Sequence, residues 1–282
     1  MTVRIVTDST SDLPPTLASQ HDIEVVPLNV HFANEVYKDG TEITADQFFE
    51  KLINGPIHPT TSQPSIGEFI DIYKKIAGKG DEIVSIHISK ILSGTYNSAL
   101  QASKNLEDEI NIHVVDSEKV SMSLGLSAIA AAQTAKNGGS VEEVISAAES
   151  AADRGRFVAL FDTLEYLAKG GRIGKAQSLL GGLLKIRPIL TVENGEIAPY
   201  TKARSRRAGL SKLEQAIKSF GDIEELYVMY STDTTDAEIL AENLNDLLPA
   251  GKKPMVMRVG PVTVSYTHLR AHATLRYLVC RL

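Results

Sequence analysis

A single cysteine, Cys280, stands among the 282 residues. That scarcity excludes an intrachain disulfide and any zinc site built from several thiolates. Long apolar runs are missing as well. The most apolar helical stretch, residues 124–135, is too short and too interrupted to span a bilayer. No apolar secretory segment precedes Asp8, because Met1-Thr2-Val3-Arg4-Ile5-Val6-Thr7 passes straight into a strand pattern. A cytoplasmic location is therefore expected, with any lipid coming to the protein. The net charge of -6 argues mildly against a nucleic-acid binder. Hydrophobic residues at 43% and charged residues at 23% are ordinary for a globular chain of one large or two smaller domains.

What is present is an alternation. Residues 3–6, 25–30, 82–88 and 112–115 are dominated by β-branched side chains and read as strands. Helical patterns run over 13–20, 45–53, 66–75, 95–106 and 124–136. This order predicts parallel strands with crossover helices and loops gathered beyond the strands' carboxyl ends. Asn137-Gly138-Gly139 ends one helix, and Ser140 with Glu143 forms a capping box for the next. A second unit follows, with strands at 157–161, 186–192 and 197–202, a helix at 163–168 and a glycine-rich segment over 170–182. Asn194-Gly195 between alternating apolar residues is a strong hairpin signal, so this half contains antiparallel pairing. A helix at 207–220, a strand at 226–230, a helix at 236–247 and a strand at 254–259 complete it. The expected fold is α/β with two domains. Residues 1–153 form a mainly parallel sheet with flanking helices, and residues 154–282 an α/β domain with a mixed sheet.

Three hydroxyl-rich loops carry the candidate chemistry. Thr7-Asp8-Ser9-Thr10-Ser11-Asp12 follows the first strand, where open α/β sheets bind ligands, although Ser11 or Asp12 could equally cap the next helix. In Thr60-Thr61-Ser62-Gln63-Pro64-Ser65, Ser65 and Glu68 make a capping box, which leaves the Thr61 and Ser62 hydroxyls for a ligand. The third loop holds Ser93-Gly94-Thr95. Gly94 permits close backbone approach, and the helix beginning there offers unpaired amides to a carboxylate or phosphate. None of the loops has a nucleotide-binding glycine motif. The seven histidines include no His-Glu-x-x-His pair, so no metal is expected. A lipid or ester hydrolase using Ser93 is the competing reading. It lacks a Gly-x-Ser-x-Gly elbow, and its nearest base, His87, has no carboxylate assigned to orient it.

Charge is uneven along the chain. Residues 169–207 hold nine basic side chains, among them Arg172, Arg204 and Arg206, against only Glu193 and Glu196. A solvated face would explain this, but in an acidic protein a docking surface for an acidic partner or anionic lipid explains it better. Nucleic acid is disfavoured, since Tyr200 is the only aromatic interleaved there.

The ordered set Val6-Thr7-Asp8-Ser9-Thr10-Ser11-Asp12, Pro59-Thr60-Thr61-Ser62-Gln63-Pro64, Ser93-Gly94-Thr95-Tyr96-Asn97, Leu164-Glu165-Tyr166-Leu167 and Lys185-Ile186-Arg187-Pro188 resembles the DegV family of bacterial fatty-acid-binding proteins. The resemblance covers residues 3 to about 262. It implies a non-catalytic protein that holds a long-chain fatty acid in an interdomain apolar tunnel, with no further cofactor. Thr61 and Ser93 would hold its carboxylate, with Ser62, Gly94 and Thr95 beside them. The resemblance also implies a partner, the ATP-binding subunit of a fatty acid kinase that phosphorylates the bound carboxyl group for phospholipid synthesis. Arg172, Arg204 and Arg206 would suit docking to that subunit or to an anionic membrane. The family's terminal Gly-x-His-x-Gly-Pro-Gly is not matched. Tyr266 stands at the histidine's position and His268 two residues late, so residues 263–282 read as an atypical tail that could cost the second domain its closing strand.

Overall fold

The computed structural model describes residues 2–179, 186–267 and 277–281. The first half runs β1 (Val3–Asp8), α1 (Pro15–Gln20), β2 (Ile23–Val26), β3 (Asn29–Phe32), β4 (Glu35–Lys38), α2 (Ala45–Asn54), β5 (Thr60–Ser62), α3 (Ile66–Ile76), β6 (Glu82–His87), α4 (Thr95–Asn105), β7 (Asn111–Asp116), α5 (Met122–Lys136) and α6 (Val141–Arg154). The second half runs β8 (Arg156–Leu160), α7 (Glu165–Lys169), β9 (Arg187–Glu193), β10 (Glu196–Ala203), α8 (Arg206–Lys218), β11 (Leu226–Tyr230), α9 (Thr235–Leu244), β12 (Met255–Arg258), α10 (Pro261–Thr267) and β13 (Tyr277–Arg281). No described helix is long and apolar enough to cross a membrane.

Strands β2-β1-β6-β7 form a four-stranded sheet with every pairing parallel. The second half forms a mixed six-stranded sheet in the order β10-β9-β8-β13-β11-β12. This is the expected two-domain α/β architecture. A third sheet, β4-β3-β5, is antiparallel and was not foreseen. The single strand expected over 25–30 is broken at Pro27, which has no amide to offer a ladder. The chain turns there and restarts as β3, and Thr60-Thr61-Ser62, expected as loop, pairs with it.

Both sheets bury two faces. Val6, Val26 and Ile83 pack under Phe69 and Tyr73 of α3 and Ala99 and Ala102 of α4. Ile5, Val84 and Ile86 face the other way, toward α5, in an apolar cluster that continues into Phe157, Ala159, Leu190 and Met229 of the mixed sheet. Alternate residues Val158 and Leu160 point away from it, beneath Leu213, Ile217 and Leu240 of α8 and α9. Helix α5 thus lies between two sheets, which explains why it is apolar on every side. Capping boxes from Ser65 with Glu68 and Ser140 with Glu143 start α3 and α6 as expected.

The expected loss of a closing strand is overturned. β13 lies inside the mixed sheet, antiparallel to β8 on one side and β11 on the other. Thr263, Val264 and Ser265 of the same tail are buried. The sequence signal was obscured by the lack of the family glycines, whereas Tyr277-Leu278-Val279 already has strand character.

The two halves are tied through Asp12, at the carboxyl side of β1. Its carboxylate accepts from Ser121 Oγ at 2.5 Å, Thr263 Oγ1 at 2.9 Å and the Gly260 amide at 3.2 Å. Ser121 opens α5, whereas Gly260 and Thr263 come from the second half. Arg258 adds a second tie, stacking 4.3 Å from the Phe49 ring centroid and pairing with Asp46. Burial pushes the Asp12 carboxyl up to about 7 from its ordinary 3.8, against those three hydrogen bonds. Asp39, bonded by Ser9, is also pushed up to about 7 by burial and, less, by Asp12.

Two tests follow from this packing. An unfolded Asp12 ionises near 3.8 and the native one near 7, so the folded state holds more protons between these values. Its contribution to stability is full below 3.8 and is lost as pH rises through about 7. Asp12→Asn, which suits the left-handed backbone there (φ 53°), should make Tm fall less steeply with rising pH, Asp39 supplying the remaining slope. An unchanged slope would remove Asp12 as the titrating group. Gly125 inside α5 gives the second test. Alanine ordinarily gains about 1 kcal/mol over glycine within a helix, but a Cβ here would stand 2.8 Å from the Ser11 carbonyl oxygen. Gly125→Ala should therefore lower Tm, and a rise would show that the Ser11 turn yields.

Candidate functional site

Two of the hydroxyl-rich segments meet. Thr61 lies on β5 opposite Val30 of β3 and is half-buried. Its hydroxyl has no hydrogen-bond partner among the described residues. Ser62 points the other way and is engaged, accepting from Asn29 Nδ2 at 3.2 Å and meeting His31 Nε2 at 2.9 Å. The expectation that its hydroxyl is left for a ligand is therefore corrected: β-pairing brings Asn29 and His31 of the neighbouring strand to it.

The Gln63 side chain joins β5 to the Ser93 loop. The Gln63 amide lies against Gly94, where a Cβ would fall 2.5 Å from Gln63 Nε2 and displace this side-chain end. Ser93 is 7% exposed and Thr95 fully buried. Their hydroxyl oxygens lie 2.9 Å apart, and Ser93 Oγ also accepts the Thr95 amide at 3.3 Å. Ser93 Oγ thus takes the first amide of α4, and Gly94, at the cap position, has no side chain to take another. Since one of the two hydroxyls donates to the other, the pair keeps one hydroxyl hydrogen to donate, at the positive end of a helix where an anion is favoured. Leu92, one residue earlier, belongs to the apolar cluster between the two sheets. The backbone of α10, which carries Tyr266, packs against β5 and α7. His268 lies outside the described residues.

The structure supplies what the sequence hid about His87. Its Nδ1 is 2.9 Å from Asp8 Oδ2, its Nε2 is 2.7 Å from Ser85 Oγ, and Tyr73 donates to Ser85 at 2.8 Å. The alternate spacing of Ser85 and His87 on one strand was a usable signal; the register of β1 beside β6, which delivers Asp8, was not. Both imidazole nitrogens are thus occupied and neither serves Ser93, which removes the base that the hydrolase reading needs. The Ser85-His87-Asp8 connectivity itself is completely buried. A substrate has no route to Ser85 there, so these bonds join strands rather than activate a nucleophile. Among the described residues no group of three His, Cys, Asp or Glu side chains could hold a metal ion.

The basic segment is less open than its composition suggests. Arg187 pairs with Asp162, Lys169 with Glu165, Lys175 with Glu196 and Arg206 with Asp236. Arg172 is half-buried and donates to the carbonyls of Gly170, at 2.6 Å, and Leu92, at 3.3 Å. For Arg187 and Arg206, folding recruits acids distant in sequence, which a linear charge count cannot see. Arg204 is exposed.

Comparison with known proteins agrees with this architecture. A family model described as an uncharacterised protein of the DegV family matches residues 2–277, which carries the resemblance beyond residue 262 into the tail. The chain is 38% identical over 269 residues to a DegV domain-containing protein of Streptomyces coelicolor, covering 94% of each. It is 36% identical over 218 residues to protein DegV of Bacillus subtilis, covering 77% of each. Among solved structures, a DegV family protein from Thermus thermophilus, described as binding fatty acid, superposes with a TM-score of 0.88 at 32% identity over 100% of both chains. DegV of Bacillus subtilis, described as a fatty acid binding protein, gives 0.88 at 32% identity over 100% of this chain and 99% of that one. By its sequence and by its two-sheet architecture, the chain belongs to the DegV family.

Proposed function

We propose that this chain binds a long-chain fatty acid, with its carboxylate held by Ser93 and Thr61 and its acyl chain between the two domains. The reading is supported by the fatty-acid binding described for the Thermus thermophilus and Bacillus subtilis relatives. The observation that carries it is the placement of the Ser93 and Thr95 hydroxyls. They sit at the first turn of α4, beside Leu92 of an apolar layer that runs between both sheets. Burying a methylene contributes roughly 0.8 kcal/mol. About 14 of them would supply on the order of 11 kcal/mol before the costs of association. A carboxylate taken out of water needs donors, and hydroxyls with helix-start amides provide them. No metal or cofactor is required by this reading.

The bound acid is then presented, in the cytoplasm, to a separate ATP-binding kinase subunit that phosphorylates the carboxyl group. Of Arg172, Arg204 and Arg206, Arg204 is best suited to docking that subunit or an anionic membrane, because it alone of the three is exposed. Arg172 and Arg206 have internal partners, so their contribution to docking passes through the shape of the surface.

Two measurements test the proposal. Ser93→Ala and Thr61→Ala should each weaken oleate binding by roughly 1–3 kcal/mol, the cost of leaving a charged acceptor short of a donor. Tm should stay nearly unchanged in Thr61→Ala and fall in Ser93→Ala, which also deprives the buried Thr95 amide of its acceptor. Titration calorimetry decides it, and full affinity in both variants would take the carboxylate elsewhere. Arg204→Glu should leave oleate affinity intact while slowing acyl-phosphate formation with a matched kinase subunit and reducing sedimentation with anionic vesicles. Wild-type behaviour in both assays would leave Arg204 a solvated side chain.

A further inference from the structure

We infer that Ser89 and the Asn194-Gly195 turn act as positioning residues for Ser93, so that selectivity for the acid headgroup is set by a clamp reaching over from the second domain. The inference rests on the reading of Ser93 as a carboxylate ligand. Ser89 is completely buried and every polar atom it has is used. Its amide donates to the Lys119 carbonyl at 3.0 Å. Its carbonyl accepts the amides of Leu92, at 3.0 Å, and of Ser93 itself, at 3.1 Å. Its hydroxyl accepts the Ile91 amide at 3.2 Å and donates to the Gly195 carbonyl at 2.7 Å. The turn that carries Ser93 is therefore braced at Ser89, which a hairpin turn of the other domain contacts, while Asp116 holds the amide of Lys90.

The fit is close on both sides. Gly195 has φ +76°, and a Cβ there would lie 2.6 Å from Ser89 Oγ. Arg172 supports the same loop from the same domain, donating to the Leu92 carbonyl immediately before Ser93. Leu92 anchors the loop in the apolar cluster, whereas Ile91 is 58% exposed, and the bonds from the second domain at Ser89 and Leu92 add to that anchorage. A hydroxyl that must meet a carboxylate oxygen within a few tenths of an ångström depends on such support.

The test compares oleate with oleyl alcohol, which has the same chain and no charge. Ser89→Ala should weaken oleate binding about tenfold, the weight of one hydrogen bond, and leave the alcohol nearly unaffected. Gly195→Ala reaches the contact from its other side and should show the same preference. In the double variant the added methyl no longer meets a hydroxyl, so the two losses should not add. General loosening of the fold would weaken both ligands alike. Equal losses, or none, in both single variants while Ser93→Ala still discriminates acid from alcohol overturn the clamp alone. A Ser93→Ala variant that does not discriminate overturns the carboxylate reading, and the clamp with it.

Discussion

The carboxylates buried beyond the end of β1 are the constraint on which the rest of the structure depends. Removing an ionised carboxylate from water without donors costs several kcal/mol, a large share of a domain's margin of stability. Asp8 and Asp12 must therefore be met by donors, and those donors fix the surrounding elements. Asp8 holds the end of β6 through His87 Nδ1 and the Ile88 amide. Asp12 holds the start of α5 through Ser121 and the approach to α10 through Gly260 and Thr263. The same demand accounts for unusual backbone. Ser121, at φ 59° and ψ -151°, occupies a region ordinarily left to glycine. Its amide donates to the Thr10 carbonyl at 2.8 Å while its hydroxyl reaches Asp12, and these bonds compensate the strain.

Around Ser93 the balance of donors and acceptors is reversed. The first loop brings acids that surrounding hydroxyls and amides satisfy, whereas the Ser93 and Thr95 hydroxyls at the start of α4 have no acid side chain bonded to them among the described residues. On the proposed reading the ligand supplies that acid. Its chain then joins an apolar layer whose two walls belong to different domains, so occupancy and domain association become thermodynamically linked.

Local rules made much of this legible in the sequence. The capping boxes at Ser65 and Ser140, the Asn194-Gly195 hairpin and the parallel alternation of the first half are short-range features, and each is present. What sequence reading missed is relational. Pro27 divides one apparent strand into two that belong to different sheets. The partners of Ser62 and His87 come from neighbouring strands, and the acids opposite Arg187 and Arg206 come from other elements. A composition count assigns charge to a segment, but only the fold assigns it to a pair.

The position of β13 has a kinetic meaning. It separates β8 from β11, so those two strands cannot pair directly in the native order. A ribosome delivers β8 first and residues 277–281 last among the six, leaving an open slot flanked by unpaired strand edges during synthesis. Such a slot invites another chain's strand at high concentration. The parallel sheet is complete before any of this begins and can fold against α3 to α6. Until its own strand arrives, the vacant place in the second sheet is the growing chain's exposed edge.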